Sequence, residues 1–347
     1  MPAKAGIQRE RLESRFRGSG RPAGLSMSYD VLPGDDGWLF LVGGSNSPVQ
    51  LYDRDGRLSD AVITRWRDLV LARARRCAEL GIRYIHITIP EKLTIYDHKL
   101  PEPAPVDWHL SPGARLRDML AASGSDVLLD LIAPFRRERD AQDLYFRTDS
   151  HWSPEGCFFA YLLLCERLGL TPDSTLLSRA FEEIDGKLDL GSKTNPVVVE
   201  RVRFYDFALH ARRVYANPIV KFLETPSLAP RVHIGSHVRY RNDAPQAAPM
   251  KILIFGDSYS SPKTDALTGM LAETVRDVEF IWSSNLDWRY IAKSKPDVVV
   301  YDLVERFMTT LATDRLDLRV KIPLQIAKAA WLQQGFGRWR RPNALTG

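Results

Sequence analysis

A short apolar run that ends at a serine is the feature of this sequence that most restricts its fold. Residues 252–255 are uninterruptedly apolar, too few for a helix and rich in strand formers, which predicts a strand buried on both faces of a parallel sheet. The run ends at Gly256-Asp257-Ser258, where glycine permits a tight turn. A serine there lies at the carboxyl edge of the sheet, where open α/β folds bind ligands and backbone N–H groups stabilise anions. Ser258 is therefore a candidate nucleophile, and the alternative is ordinary Gly-Asp-Ser turn chemistry.

The rest of the chain predicts an α/β fold, because helical and strand patterns alternate along it. A helix is predicted over residues 60–80, and core strands are predicted over residues 83–89, 127–132, 278–282 and 297–301. The predicted architecture is a layered α/β structure around a mainly parallel sheet. Residues 171–250 are the least regular part, and we interpret them as an irregular or β-rich insertion rather than a separate domain.

Composition restricts the classes of function. The chain has 347 residues, of which 44% are hydrophobic and 26% charged, as in a globular protein. Its net charge of +5 comes from the two ends, since residues 1–26 carry +4, residues 315–347 carry +6 and residues 27–314 carry −5. The basic charge is therefore absent from the predicted folded body, which argues against a nucleic-acid partner. Three cysteines are predicted to be buried free thiols, and no metal site or cofactor is predicted.

The ends of the chain differ in composition from residues 27–314, which form the predicted catalytic domain. Residues 1–26 are basic and lack an apolar core segment, so we expect a disordered extension, no secretory signal peptide and a cytoplasmic location for the chain as written. Residues 315–347 form a basic tail in which aromatic and aliphatic residues are interspersed. The preferred interpretation is a terminal helix on the core followed by a frayed end, and the alternative is a segment on an anionic membrane.

Asp149 and His151 form the second motif that indicates chemistry. A carboxylate two residues from a histidine can accept a hydrogen bond from Nδ1 and leave Nε2 to act as a base. Such a base activates a serine hydroxyl, so Ser258, His151 and Asp149 supply the residue types of an acyl-transfer triad. Two alternatives are a turn capped by Asp149 and a metal site of Asp149, His151 and Asp257. The metal site is disfavoured because no second histidine stands at ligand spacing.

Three motifs resemble a known family: Gly-Trp-Leu-Phe-Leu, Arg-Thr-Asp-Ser-His-Trp-Ser-Pro-Glu-Gly and Ile-Phe-Gly-Asp-Ser-Tyr. Together they resemble the SGNH-hydrolase-like domain of the alginate O-acetyltransferase family, of the AlgX/AlgJ type, from about residue 34 to about residue 308. The resemblance implies a three-layer α/β/α sandwich and transfer of acetyl groups to or from polysaccharide hydroxyls. It also implies Ser258 as nucleophile, His151 as base and Asp149 as the carboxylate that orients it. Members of this family usually work in the periplasm.

The predicted function is therefore O-acetylation of polysaccharide hydroxyls through an acetyl-enzyme. A carbohydrate acetylesterase would use the same triad with water as acceptor, and a non-catalytic glycan-binding component of an export complex is a second alternative. The expected partners are a polysaccharide or oligosaccharide acceptor, an acetyl donor and a membrane acyltransferase.

Several further residues are candidates for the predicted site. Gly191 and Asn285 are candidates for the second oxyanion donor, beside the backbone N–H of Ser258. Arg147, Lys92 and Arg306 are candidate cations for an acidic glycan. For each of these three, the alternative is a solvated charge or a structural ion pair.

Overall fold

The computed structural model of the protein describes residues 26–27, 30–44, 46–102, 106–223 and 229–339. The predicted disordered extension therefore lies outside the described residues, apart from Ser26. The chain divides into two compact units. The first contains Met1–Arg75, Ile85–Asp206 and Leu303–Leu311, and the second contains Arg76–Tyr84, Phe207–Asp302 and Ala312–Gly347.

The first unit combines short strand pairs with helices. Its strands are β1 (Ser26–Met27), β2 (Val31–Pro33), β3 (Leu39–Leu41), β4 (Arg83–Ile89, in this unit from Ile85), β5 (Leu128–Leu129), β6 (Phe181–Gly186), β7 (Thr194–Asn195) and β8 (Glu200–Tyr205). Its helices are α1 (Asp60–Glu79, in this unit to Arg75), α2 (Lys92–Ile95), α3 (Pro112–Ala122), α4 (Ile132–Glu138) and α5 (Pro154–Leu168). Strands β4 and β5 pair in parallel, whereas β1–β7, β2–β3 and β6–β8 are antiparallel pairs.

Two sequence predictions in this unit have opposite outcomes. The strand predicted over residues 83–89 is confirmed as β4. The strand predicted over residues 127–132 is wrong beyond β5, which has only two residues. The Asp130 carboxylate accepts a hydrogen bond from the backbone N–H of Ile132 at 2.9 Å, and the chain enters α4 at that residue. This local side-chain bond competes with continuation of the strand.

A single buried carboxylate joins four segments of the first unit. Glu305 is completely buried, and its Oε2 accepts hydrogen bonds from the Glu91 N–H at 2.7 Å, the Thr94 hydroxyl at 2.5 Å and the Tyr52 hydroxyl at 3.2 Å. Its Oε1 accepts a hydrogen bond from the Gly113 N–H at 3.0 Å. These donors satisfy a charge that would be costly to bury alone.

Helix α5 begins against the strand-like segment that precedes the Asp149 loop. Ser153 caps the helix by accepting a hydrogen bond from the Gly156 N–H at 3.0 Å, and Pro154 occupies the first turn. A Cβ atom on Gly156 would lie 1.9 Å from the Leu144 carbonyl oxygen. Only glycine allows this close approach of two backbones.

The second unit is built on a mixed sheet. Its strands are β9 (Ala211–Ala216), β10 (His237–Asn242), β11 (Ala248–Gly256), β12 (Val275–Trp282) and β13 (Val298–Val304, in this unit to Asp302). Strand β11 pairs in parallel with β12 and β13, whereas β10 pairs antiparallel with β12 and β9. The residues at 252–255 are all completely buried, as the apolar run predicts.

The expectation of a mainly parallel sheet is therefore not confirmed in this unit, where two of the four pairings are antiparallel. Strand β10 alternates buried Val238 and Tyr240 with partly exposed Arg239 and Arg241. That alternation is typical of antiparallel strands with one solvated face, and it falls inside the segment interpreted as an irregular or β-rich insertion.

The helices of the second unit are α6 (Val220–Leu223), α7 (Ala229–Val232), α8 (Leu267–Thr274), α9 (Trp288–Ser294) and α10 (Leu318–Trp339). The predicted terminal helix is present as α10, whose Ala329 and Leu332 cluster with Val232. Residues 340–347 of the predicted basic tail lie outside the described residues. Within the part of the chain that the structure describes, no helix combines the length and the apolar character needed to cross a bilayer.

Replacing Gly156 by alanine should lower the free energy of unfolding by about 2 kcal/mol or more, because the new methyl group meets the Leu144 backbone. Urea denaturation followed by circular dichroism measures the change. Gly124→Ala is the matched control, since Gly124 has φ +68 and nothing within 4 Å of a Cβ atom. It should cost only about 1 kcal/mol of left-handed strain. Equal losses in the two variants would contradict the close approach.

Candidate active site

The loop that carries Asp149 and His151 is closed at its base by backbone hydrogen bonds. Tyr145 and Trp152 form an isolated antiparallel bridge. The Phe146 N–H donates to the His151 carbonyl at 3.3 Å. The Tyr145 and Trp152 side chains are both buried, so the loop has a rigid base.

Asp149 and His151 are in direct contact, as the Asp-x-His motif predicts. His151 Nδ1 and Asp149 Oδ1 are 2.7 Å apart, and the same oxygen accepts the His151 backbone N–H at 2.9 Å. Asp149 Oδ2 accepts the Asp189 N–H at 3.2 Å. The His151 side chain is 32% exposed and the Asp149 side chain 13%. Because the carboxylate engages Nδ1, general-base chemistry would use Nε2.

This contact sets the protonation of both groups. Burial lowers the pKa of His151, but the hydrogen bond and negative charge of Asp149 outweigh burial, so the pKa of His151 is raised. Burial raises the pKa of Asp149, but hydrogen bonds and charge from His151, together with the Asp189 N–H, outweigh burial and hold it well below its usual range. The proton of the pair therefore belongs to the imidazole, and Asp149 remains an anion that orients it.

Two further carboxylates fasten the loop, and sequence reasoning missed both. Asp189 accepts hydrogen bonds from the Ser150 N–H at 2.9 Å and the Ser150 hydroxyl at 2.6 Å. Glu200 accepts the Thr148 N–H at 2.7 Å and the Thr148 hydroxyl at 2.8 Å. For Asp189, the signal in the sequence is its place in a short segment bounded by two glycines, Gly186-Lys187-Leu188-Asp189-Leu190-Gly191.

Within the part of the chain that the structure describes, the side chains close enough together to hold a cation differ from the set considered in the sequence analysis. Among the described residues, the ligand atoms of Asp149, His151 and Asp189 lie within 4.8 Å of one another. Asp257 does not belong to this group. The two aspartates already accept hydrogen bonds from His151, Ser150 and backbone N–H groups of the chain itself.

Two of the three candidate cations are buried side chains that bond to other groups of the protein. Lys92 is 3% exposed, and its ammonium donates to the carbonyls of Leu39 at 2.7 Å and Arg147 at 3.1 Å. Burial lowers the pKa of Lys92 to about 7, against the opposing charges of Asp149 and other carboxylates. Arg306 is 7% exposed and forms an ion pair with buried Glu91 at 2.8 Å. These contacts favour the structural alternative for both residues.

The third candidate cation, Arg147, is at the surface. Its side chain is 46% exposed and pairs with Asp143 at 3.0 Å. Nearby in the first unit is a cavity of about 430 Å³, lined in part by Asp143, Tyr145, Glu200 and Arg201. Its mixture of carboxylates, an aromatic ring and a guanidinium is suited to a ligand rich in hydroxyl groups.

The two oxyanion candidates are engaged in bonds of their own. The Gly191 N–H donates to the Thr148 carbonyl at 2.9 Å, so its donor is already used. Asn285 lies in the second unit, where its Oδ1 accepts the N–H groups of Thr313 at 2.7 Å and Asp314 at 2.9 Å. The Gly191 contact uses the N–H that would serve as donor, whereas the Asn285 contacts use its acceptor oxygen, so the assignment of the second oxyanion donor stays a prediction.

Ser258 lies in the second unit, in the turn that follows β11. Asp257 Oδ1 accepts the Tyr259 N–H at 3.0 Å, which bridges the serine and fixes the turn. Asp257 therefore acts as a turn former, and the residue after the serine is almost completely buried. Ser258 itself is half-buried. The structure thus joins Asp149 to His151 in one unit and gives Ser258 an ordered turn in the other, while the triad as a whole stays a prediction.

Asp149→Asn should lower the pKa of His151, because burial would then act without the opposing carboxylate charge. Titration of the His151 ring by NMR, assigned with His151→Gln, measures the change. Asp185→Asn is the control, since that carboxylate is 67% exposed on the same unit and should not alter the titration. A His151 midpoint that stays in place in Asp149→Asn would show that the contact does not set its protonation.

Known proteins resemble this chain in part of its sequence and in its fold. Residues 31–187 match the family model of the SGNH hydrolase-like domain of the acetyltransferase AlgX. A curated relative, "Probable alginate O-acetylase AlgJ" of Pseudomonas aeruginosa, is 28% identical over 172 residues, which cover 46% of this chain and 40% of the relative. The chain thus spans less than half the length of that relative.

Solved structures extend the likeness of fold. The O-acetyltransferase domain of Pseudomonas putida AlgJ has a TM-score of 0.56 at 17% identity, over 85% of this chain and 98% of that one. A DHHW family protein from Eubacterium siraeum has a TM-score of 0.55 at 14% identity, over 83% and 95% of the two chains. Bacillus cereus PatB1 with a sulfonyl adduct has a TM-score of 0.53 at 14% identity, over 80% and 95%. The chain therefore shares its fold with these solved structures, and its residues 31–187 are similar to the SGNH hydrolase-like domain of the acetyltransferase AlgX.

Proposed function

We propose that this protein is an SGNH-type O-acetyltransferase that transfers acetyl groups to polysaccharide hydroxyls. The observation that carries the proposal is the 2.7 Å contact between His151 Nδ1 and Asp149 Oδ1, on a loop fastened by carboxylates. The relation to the AlgX and AlgJ domains supports the same chemistry. Ser258 is the nucleophile, His151 the general base and acid, and Asp149 the residue that orients the imidazole.

The first step forms an acetyl-enzyme. His151 Nε2 takes the proton of the Ser258 hydroxyl as the serine oxygen attacks the carbonyl carbon of an acetyl donor. The negative charge that develops on the carbonyl oxygen is stabilised by the Ser258 backbone N–H and a second hydrogen-bond donor. The bond to the leaving group breaks, the leaving group takes the proton from His151, and the acetyl group remains on Ser258.

The second step transfers the acetyl group to a glycan. His151 takes the proton of a sugar hydroxyl, and the sugar oxygen attacks the acetyl carbon. The Ser258 oxygen leaves and recovers the proton from His151, which restores the enzyme. An acetylesterase differs only in using water here, so the acceptor product distinguishes the two functions. The relative named as an alginate O-acetylase makes a polysaccharide the proposed acceptor.

Ser258→Ala and His151→Ala should each reduce release of a chromophore from an acetyl ester by about 1000-fold, because each removes a member of the triad. Transfer is measured in parallel by mass spectrometry, with an oligosaccharide acceptor that gains one acetyl group. Ser261→Ala, three residues further along the chain, is the control and should retain wild-type turnover.

The outcomes separate the candidate functions. Acetylated oligosaccharide that disappears in Ser258→Ala supports the transferase. Ester hydrolysis without acceptor product, at any acceptor concentration, would overturn the transferase in favour of an esterase. Turnover that is equal in wild type and Ser258→Ala would overturn both enzymatic functions.

A further inference from the structure

Helix α10 exposes a set of apolar side chains that the proposed reaction does not use. Val320, Leu324 and Trp331 are 57%, 61% and 71% exposed. Among the described residues, only Leu209 at 68% is a large hydrophobic side chain of comparable exposure. Three of the four most exposed large apolar side chains of the described chain therefore belong to one helix.

These three side chains form one stripe. At 3.6 residues per turn, positions 320, 324 and 331 fall within about 40° of one another around the helix axis. Of the buried residues of the same helix, Ala329 lies on the opposite side, about 180° from Val320, and Leu332 lies about 120° from Val320. Helix α10 thus has one face that packs on the second unit and a separate apolar stripe that faces solvent.

Basic residues flank the stripe. Lys321 and Lys328 are about 80–100° from Val320 on one side. Arg319, about 100° from Val320 on the other side, forms an ion pair with Asp317 at 2.6 Å. Residues 315–347 contain seven Lys or Arg against one Asp, whereas residues 27–314 carry a net charge of −5. A surface that complements both features must be negatively charged and must accept apolar side chains.

We propose that this stripe of Val320, Leu324 and Trp331 docks on an anionic lipid surface. Interfacial helices bury an apolar face at the boundary between headgroups and acyl chains while basic residues contact anionic headgroups. The helix would lie on the membrane rather than cross it, in agreement with its short apolar content. Docking on a second copy of the chain or on an acidic protein is the competing outcome.

The test is co-sedimentation of the full chain with vesicles of phosphatidylcholine alone and with about one third phosphatidylglycerol. We expect binding to the anionic vesicles that weakens as salt rises. The variant Leu324→Glu with Trp331→Glu should lower the apparent affinity at least about tenfold, because it places two charges at the apolar boundary.

Leu209→Glu is the matched control, because it alters an equally exposed leucine away from α10 and should bind as wild type does. Circular dichroism and urea unfolding check that all variants fold. Absence of binding to anionic vesicles, or an equal loss in Leu209→Glu, would overturn the proposal. A dimer that the double variant dissociates, without vesicle binding, would assign the stripe to a second copy instead.

A second feature, independent of the helix, lies under the Ser258 turn. Asp302 is completely buried within the apolar run of β13. Its Oδ1 accepts the Asp257 N–H at 3.3 Å, and its Oδ2 accepts the Ser260 hydroxyl at 2.5 Å. Both partners flank Ser258, one residue before it and two residues after it.

The contact with Asp302 also explains the glycine of the motif. A Cβ atom on Gly256 would lie 2.3 Å from Asp302 Oδ2, so any side chain there would displace the Asp302 carboxyl group. Burial and then the charge of Asp257 raise the pKa of Asp302 well above its usual range. A neutral acid can donate as well as accept a hydrogen bond, and an amide of the same shape can replace it.

The geometry points to Asp302 as a positioning residue that holds the backbone of the Gly256–Ser260 turn, and so the Ser258 hydroxyl, in its reactive place. This inference rests on the proposed function. It assigns to a buried residue outside the predicted triad a role that acts through Ser258 rather than by contact with substrate.

Asp302→Ala should lower kcat for the acetyl ester by about 10- to 100-fold with KM little changed, because displaced nucleophiles lose rate rather than binding. Asp302→Asn should restore most of the rate, since it keeps the shape without the charge. Ser260→Ala, which removes one of the two bonds, should lower kcat by a smaller factor. A sulfonyl fluoride reports on Ser258 directly: the serine oxygen bonds to sulfur, the S–F bond breaks and HF is lost.

Thermal unfolding identifies any variant that fails to fold. If Asp302→Ala does not fold, the rates of Ser260→Ala and Asp302→Asn test the inference. Full kcat and full labelling rate in Ser260→Ala and Asp302→Ala would overturn the inference, as would an Asp302→Asn rate as low as that of Asp302→Ala. A wild type without turnover that depends on Ser258 would instead overturn the proposed function.

Discussion

The hydrogen bond between Asp149 and His151 is the interaction on which the candidate chemistry depends. It requires the chain to turn back on itself within three residues, an arrangement that is costly unless the loop is fixed from outside. Carboxylates supply that fixation. Asp149 accepts the His151 N–H, Asp189 accepts the Ser150 N–H, and Glu200 accepts the Thr148 N–H. The backbone of the loop is thus held by carboxylates of the same unit, and these contacts fix the orientation of the His151 imidazole.

Much of the local structure could be predicted from the sequence. The strand at 252–255, the turn at Ser258 and the pairing of Asp149 with His151 involve residues close together along the chain, where apolar pattern and turn chemistry are informative. The start of helix α5 depends on equally local contacts, because the capping residue Ser153 acts over a few positions. The family resemblance depended on the same short motifs, and for this reason it could be recognised early.

The rest depended on contacts between distant segments. Nothing near Asp302 in the sequence indicates that it lies under Gly256, and nothing near Glu305 indicates that it joins Tyr52, Thr94 and Gly113. Lys92 and Arg306 were candidates for a glycan site because charge alone is visible in a sequence, whereas burial and pairing are properties of the fold. The bounds of β9 and β10 were not predicted within the segment interpreted as irregular or β-rich, because β9 is mostly exposed and arginines stand among the apolar residues of both strands.

The exposed stripe of α10 has a consequence for the behaviour of the protein in different buffers. Attraction of its flanking lysines to an anionic surface weakens as ionic strength rises. Association of apolar side chains with one another strengthens in salts that are excluded from protein surfaces, such as sulfate. The same helix would therefore favour an anionic surface in dilute buffer and self-association in concentrated sulfate. The salt in the buffer would determine whether Trp331 contacts a charged surface or a second copy of the chain.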